Sequence, residues 1–287
     1  MDRLIFHPPV SSYSPSDFGS GMIWIPKDRR EWDQPPLSLP TIDTNLSSAR
    51  GVPCLLIQAS DASDMIVYFH ANAEDCGQTM GLLWHLRDKL RCHVLAMEYP
   101  GYGVYTSESP SEDSAVRDAF IVFDYLTHGP WKLSPTQVVL VGRSLGTAVA
   151  TQVAADRAVG GLVLISPFTS IQTVAATFIG TVLSSMVNDR FVTIESMPFV
   201  VCRTLLIHGE NDTLIPHTHS DDLQAASGCH PRLCHVFKFE DMTHNEFDVE
   251  RHIVAPICQV FPFAAPAAAG GPPCVAFPLV LEGVPIA

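Results

Sequence analysis

The chain is poor in charge, and poorest in positive charge. Only 16% of its 287 residues are Asp, Glu, Lys or Arg, and 17 basic residues stand against 30 acidic ones. A formal net charge of -13 argues against nucleic acid as a partner, because neutralising phosphates needs a basic surface. The absence of a visible basic patch argues equally against electrostatic attraction to anionic lipid. No uninterrupted apolar run reaches the ~20 residues that a membrane-spanning helix requires. The N-terminus has neither the basic-then-apolar pattern of a signal peptide nor a Met-Gly start, and Gly283-Val284-Pro285-Ile286-Ala287 is no prenylation box. The cytoplasm is the expected location. The eight cysteines, at 54, 76, 92, 202, 229, 234, 258 and 274, form no C-x-x-C pair and are expected to be free, mostly buried thiols. A glycine-rich phosphate loop is also missing, so no cofactor is implied. His217 and His219 form an H-x-H without a suitable third ligand nearby, and they read as loop histidines with no metal.

What the sequence does contain is an alternation of apolar runs and helical patterns. Strands are expected at Arg3-Leu4-Ile5-Phe6, Gly21 to Ile25, Cys54 to Gln58, Met65 to Phe69, His93 to Met97, Gln137 to Val141, Gly161 to Ile165, Arg203 to His208 and His235 to Phe239. Helices are expected over about 76–90, 112–126 and 247–260, and directly after residue 146. Such alternation implies right-handed crossovers and a parallel sheet covered on both faces. One domain is expected over 1–261, with a proline-punctuated surface excursion at 26–51 and a flexible Pro/Ala/Gly-rich tail at 262–287.

One turn in this pattern carries chemistry. Gly142-Arg143-Ser144-Leu145-Gly146 follows the apolar run Gln137-Val138-Val139-Leu140-Val141 and precedes Thr147-Ala148-Val149-Ala150. A G-x-S-x-G between a strand and a helix is a nucleophile elbow, in which glycines let the backbone crowd together and the serine hydroxyl is presented at the top of a sheet. The pattern alone is weak; its weight comes from its surroundings. Asp212 lies in the loop Gly209-Glu210-Asn211-Asp212 after one expected strand, and His244 in the loop Glu240 to Asn245 after the next. Serine is a poor nucleophile at neutral pH, so a histidine must take its proton, and a carboxylate must hold the imidazole in the right tautomer. Ser144, His244 and Asp212 are the candidate nucleophile, base and acid. The backbone N–H of Leu145 and a group from the loop His70-Ala71-Asn72-Ala73 are the candidate oxyanion donors, with Asn72 preferred and Ala71 the alternative. His70 and His208 read as loop supports, Asp75 as a helix-opening carboxylate, Glu98 as an acid after the wrong strand, and Arg143 as a side chain turned away from substrate, without a role.

Phe69-His70-Ala71-Asn72-Ala73-Glu74-Asp75, Glu98-Tyr99-Pro100-Gly101-Tyr102-Gly103, the elbow, Ser166-Pro167-Phe168, His208 to Asp212 and His244-Asn245 together resemble the α/β-hydrolase superfamily over about residues 50 to 260. They are most similar to the branch holding α/β-hydrolase domain-containing proteins 13 and 17, some of which remove palmitate from protein cysteines. The resemblance implies an α/β-hydrolase fold with a mostly parallel sheet of about eight strands, helices on both faces and a short lid. It also implies a serine hydrolase acting on acyl esters or thioesters, in its most specific form on lipidated proteins, with peripheral contact at membranes. Two departures stand out: Ala71 occupies the place of the family's usual glycine, and no cysteine precedes Cys54, where depalmitoylating members carry a lipidated cluster. The stretch Ile171 to Met197, with Val174, Phe178, Ile179, Val182, Leu183, Met186 and Val187 at helical spacing, reads equally as an acyl-binding lid or as an ordinary amphipathic helix. A carboxylesterase, lipase or serine aminopeptidase is the alternative enzyme, and a non-catalytic scaffold the alternative class.

Overall fold

A computed structural model describes residues 5–38, 51–60, 62–184 and 189–263, with the backbone alone described at 37–38 and 178–184. The expected tail therefore lies outside the described residues, apart from Pro262 and Phe263. The described residues gather into two compact units, one comprising those up to Val67 and Ala73–Gln137, the other Tyr68–Asn72 and those of Val138–Pro262.

The first unit contains β1 (Met22–Pro26), β2 (Leu37–Ser38), β3 (Gly51–Ile57), the first residues of β4 (Met65–Phe69), helix α1 (Met80–Leu90), β5 (His93–Met97) and helix α2 (Glu112–His128). Strands β1, β3, β4 and β5 are buried along their whole length, as continuous apolar runs require when both faces are covered. β1 pairs antiparallel with β2 and β3, and β3 antiparallel with β5. Ser111 caps α2 by accepting from the Ser114 N–H, satisfying one of the orphan donors of the first turn.

The second unit contains β6 (Val138–Arg143), α3 (Leu145–Asp156), β7 (Gly161–Ile165), α4 (Ile171–Ser184), α5 (Thr193–Ser196), β8 (Thr204–Gly209), α6 (Thr218–Ala226), β9 (Cys234–Phe239), a π-helical turn (Val249–Val254) and α7 (Ala255–Val260). Here β6, β7, β8 and β9 run parallel in sequence order, each joined to the next through helical segments. Parallel neighbours need such crossovers, and the arrangement leaves all their C-terminal ends at one edge. Within the first unit the strand order is β2-β1-β3-β5, and within the second β6-β7-β8-β9, β4 contributing residues to both; the nine strands compare with about eight expected.

Several expectations need correcting. Ile5 and Phe6 are buried but lie in no strand, Ile5 being helical; Arg3 and Leu4 lie outside the described residues. The connection at 26–51 is not wholly a surface excursion. Trp32 within it is 7% exposed and donates Nε1–H to Pro26 O at 2.8 Å, while β2 pairs with β1; residues 39–50 lie outside the described ones. The helix expected from Cys76 begins at Met80, because Asp75 accepts from the N–H groups of Ser12 and Gln78 and holds the chain in a turn. The helix expected at 247–260 opens as the π-helical turn before α7. Among the described cysteines, all are free; five are buried, Cys202 is half-buried and Cys258 exposed.

Candidate active site

The site grows out of the strand–turn–helix at the end of β6. Ser144 sits between Arg143 and α3 with φ 50° and ψ -116°, a backbone conformation that L-residues rarely adopt. Two glycines make the turn sterically feasible. A Cβ on Gly142 would fall 2.3 Å from Gly146 O, and one on Gly146 would fall 2.1 Å from Phe69 O and 2.8 Å from His70 O. The glycines thus allow the turn to fold on itself and the start of α3 to press on the backbone at the end of β4. The Ser144 N–H donates to Ile165 O at 2.9 Å, while Thr147 donates to Ser144 O through its N–H at 2.9 Å and through Oγ1 at 2.6 Å.

Two further loops converge on the serine. His244, after β9, places Nε2 3.1 Å from Ser144 Oγ, and Nδ1 2.8 Å from Asp212 Oδ2 in the loop after β8. The three residues are 8%, 8% and 6% exposed, so the chain of contacts is sheltered while an edge of it still reaches solvent. The acid and base loops are fastened together. Glu210 N–H donates to Phe239 O at 2.9 Å, Asn211 Nδ2 donates to Glu240 O, and a Cβ on Gly209 would fall 2.1 Å from Met242 O.

Asp212 is held as an anion. Its other oxygen, Oδ1, accepts from the N–H groups of Leu214 at 2.9 Å and Ile215 at 2.8 Å, and Oδ2 lies 3.5 Å from His208 Nε2. Burial alone would push the carboxyl up, but hydrogen bonds from His208 and His244, the His244 charge and the Ile215 N–H outweigh it and hold the group well below the usual carboxylate range. His208 is fully buried, with Nδ1 2.7 Å from Ser220 Oγ and Nε2 2.9 Å from Ile215 O. In this pattern Nε2 faces two acceptors, the Ile215 carbonyl and the Asp212 carboxylate, and Nδ1 faces a hydroxyl that can donate or accept.

Of the expected oxyanion groups, Leu145 is the first residue of α3, where N–H groups have no helical acceptor. Asn72 is half-buried in the segment after β4, whose residues Phe69 and His70 meet Gly146. Ala71 is buried and carries no positive φ; in this loop the positive φ is at Ala73, 60°. The helix of the expected lid is present as α4, and Val174 is half-buried. The side chains of Phe178, Ile179, Val182, Leu183, Met186 and Val187 lie outside the described residues.

The remaining candidates have structural partners. Asp75 and Glu98 are fully buried; Glu98 accepts from Tyr13 OH at 2.7 Å and from the Cys76 N–H at 3.1 Å. His219 Nδ1 accepts from Thr169 N–H at 3.2 Å and faces Thr169 Oγ1 at 2.9 Å. Arg143, expected to turn away without a role, instead donates from Nη2 to His244 O at 2.9 Å and to Asn245 Oδ1 at 3.0 Å, with its Cζ 5.2 Å from the centre of the Phe247 ring. An arginine at the end of a buried strand must find acceptors, and that was the available signal.

Residues 66–193 match the α/β hydrolase family model. Over 224 residues the chain is 30% identical to α/β-hydrolase domain-containing protein aho-3 of Caenorhabditis elegans, covering 76% of this chain and 65% of that protein. It is 27% identical to human α/β-hydrolase domain-containing protein 17B over 223 residues, 76% of each chain. The chain thus spans slightly under two thirds of the aho-3 protein. Among solved structures, an esterase of Pyrococcus furiosus superposes with TM-score 0.60 at 15% identity over 84% of this chain and 91% of that one. A monoacylglycerol lipase of Paleococcus ferrophilus superposes with TM-score 0.54 at 16% identity over 73% and 98%. Among the described residues no helix is long and apolar enough to cross a membrane. The chain thus has the α/β-hydrolase fold and is similar to the α/β-hydrolase domain-containing 17 proteins.

Proposed function

We propose that the protein is a serine hydrolase that cleaves esters or thioesters of hydrophobic acyl groups, with protein S-depalmitoylation as the specific activity. The observation that carries this reading is the contact chain Ser144 Oγ, His244 Nε2, His244 Nδ1, Asp212 Oδ2, anchored on a strained elbow. In attack, the Ser144 Oγ–H proton passes to His244 as Oγ bonds to the acyl carbon. The imidazolium, oriented and stabilised by ionised Asp212, then gives that proton to the departing thiolate or alkoxide. His244 next takes a proton from water, whose oxygen attacks the acyl-serine, and the acid leaves as the Ser144 hydroxyl is restored. Leu145 N–H and Asn72 hold the oxyanion of each tetrahedral intermediate. The preference for hydrophobic acyl groups rests on the apolar sequence of α4 and on the similarity to the 17B protein.

The test is hydrolysis of an acyl-thioester series from acetyl to palmitoyl, with Ser144→Ala as the blank. Serine-dependent rates rising toward the long chains support the reading and lead on to palmitoylated proteins. Activity confined to short chains makes the protein a general esterase. No activity, or activity unchanged by Ser144→Ala, overturns the mechanism.

A further inference from the structure

We propose that Arg143 is a positioning residue for the catalytic histidine, clamping the loop that carries His244 to the residue next to the nucleophile. The inference rests on the serine-hydrolase reading above and adds to it a group outside the triad. Arg143 ends β6 and is covalently bonded to Ser144. Its Nη2 donates to the backbone carbonyl of His244 at 2.9 Å and to the side-chain oxygen of Asn245 at 3.0 Å, and the guanidinium lies over the Phe247 ring. One side chain therefore touches three residues within four positions of the base loop, and it is only 8% exposed.

The consequence is geometric. Ser144 and His244 are 100 residues apart in sequence, and their contact at 3.1 Å depends on loops that approach from different strands. Asp212 fixes the imidazole ring through Nδ1, yet nothing in that bond fixes the backbone from which the ring hangs. The Arg143 contacts supply that fix, and they do so from the strand that ends at the nucleophile. A planar guanidinium suits this task, because one Nη2 amino group offers two fixed N–H donors to two acceptors while its face lies on an aromatic ring. Lysine, with a point charge on a flexible stem, offers a weaker substitute. Neither the carbonyl nor the ring belongs to the reacting atoms, so Arg143 acts through His244 rather than on substrate.

The experiment compares Arg143→Ala, Arg143→Lys and Asn245→Ala with the wild-type chain on the best acyl thioester, alongside thermal melting and the rate at which a fluorophosphonate probe labels Ser144. Misplacing a catalytic group by about 1 Å costs on the order of 100-fold, so Arg143→Ala is expected to lower kcat by ~10- to 100-fold with KM changed less than ~2-fold. Labelling of Ser144 is expected to slow in parallel. Arg143→Lys should recover part of the loss, and millimolar guanidinium ion, far below denaturing levels, should partly restore Arg143→Ala but not Ser144→Ala. If Arg143→Ala fails to fold, Arg143→Lys and Asn245→Ala carry the test. Both should remain folded with reduced kcat, and their double variant should lose less than the product of the single losses, because they share one contact. Wild-type kcat in folded Arg143→Ala, or in both milder variants, overturns the inference. So does a loss confined to KM, or one that follows only the folded fraction. Retained turnover in Ser144→Ala would instead remove the serine-hydrolase reading itself, so the two failures are distinguishable.

Discussion

The ends of β6 and β7 share a backbone device and differ in what surrounds it. Ser144 follows β6 with φ 50°, and Ser166 follows β7 with φ 49°. Each N–H donates across to the strand beyond, Ser144 to Ile165 O at 2.9 Å and Ser166 to Ile207 O at 2.8 Å. The first serine leads straight into α3 and turns its hydroxyl to His244 Nε2. The second is followed by Pro167, is fully buried, and its Oγ has no hydrogen-bond partner among the described residues. A left-handed serine at the end of a parallel strand is therefore not a nucleophile in itself. In the proposed mechanism the histidine loop makes it one, and that loop reaches only the first.

The sharpest way to break the comparison is to remove each hydroxyl in turn. Ser144→Ala is expected to lower turnover by on the order of 10⁴-fold or more, the scale on which triad nucleophiles act. Ser166→Ala should leave kcat within ~3-fold, and because it deletes an unpaired buried hydroxyl it should keep or raise the melting temperature. Equal losses in both would show that the strained turn, rather than its histidine, sets the rate. Asp212→Asn comes next, with an expected fall of ~10⁴-fold in kcat while the fold persists, since an amide imposes the wrong tautomer on His244.

The glycines of the elbow test whether the crowding is required. A Cβ at Gly146 would meet backbone at Phe69 O and His70 O rather than a movable side chain. Gly146→Ala is expected to destabilise the protein by about 3 kcal/mol or more, in the range of severe overpacking, as read by urea unfolding. A loss below about 1 kcal/mol would mean that α3 can back away from β4 at little cost.

The elbow was legible in the sequence because its determinants are local: an apolar run, two glycines at fixed spacing and a helix-forming stretch. The loops bearing Asp212 and His244 could be placed because each follows a strand of strong apolar character. Arg143 was misread because its partners lie 101 and 102 residues away, beyond any pattern of spacing. Leu37–Ser38 is a two-residue strand, too short to show an alternation, and it pairs only because β1 offers an edge. The positive φ after β4 falls at Ala73, not at Ala71, since the residue that must turn depends on how the loop leaves the strand. Side-chain reach, loop trajectory and the ends of short elements were what the sequence withheld.

The smallest expected effect concerns pH and separates the two readings of Asp212, as a mere buried acid or as a held anion. Burial on its own would raise a carboxyl, as it does at Asp118 in the other unit, where burial outweighs the opposing Tyr105, Lys27 and Arg117. At Asp212 the donors win and the group lies below its ordinary value of 3.8. A depressed carboxyl contributes stability that is fully present above the unfolded value and disappears as pH falls through the folded one. The difference in unfolding free energy between wild type and Asp212→Asn should therefore be constant from about pH 7 to pH 5 and shrink progressively below about pH 4, with the largest change under the unfolded carboxyl's own pKa. Urea titrations of both proteins at intervals across this range measure it. A difference that grew as the pH fell would mean that Asp212 is raised like Asp118, and that the donors around it do not outweigh its burial.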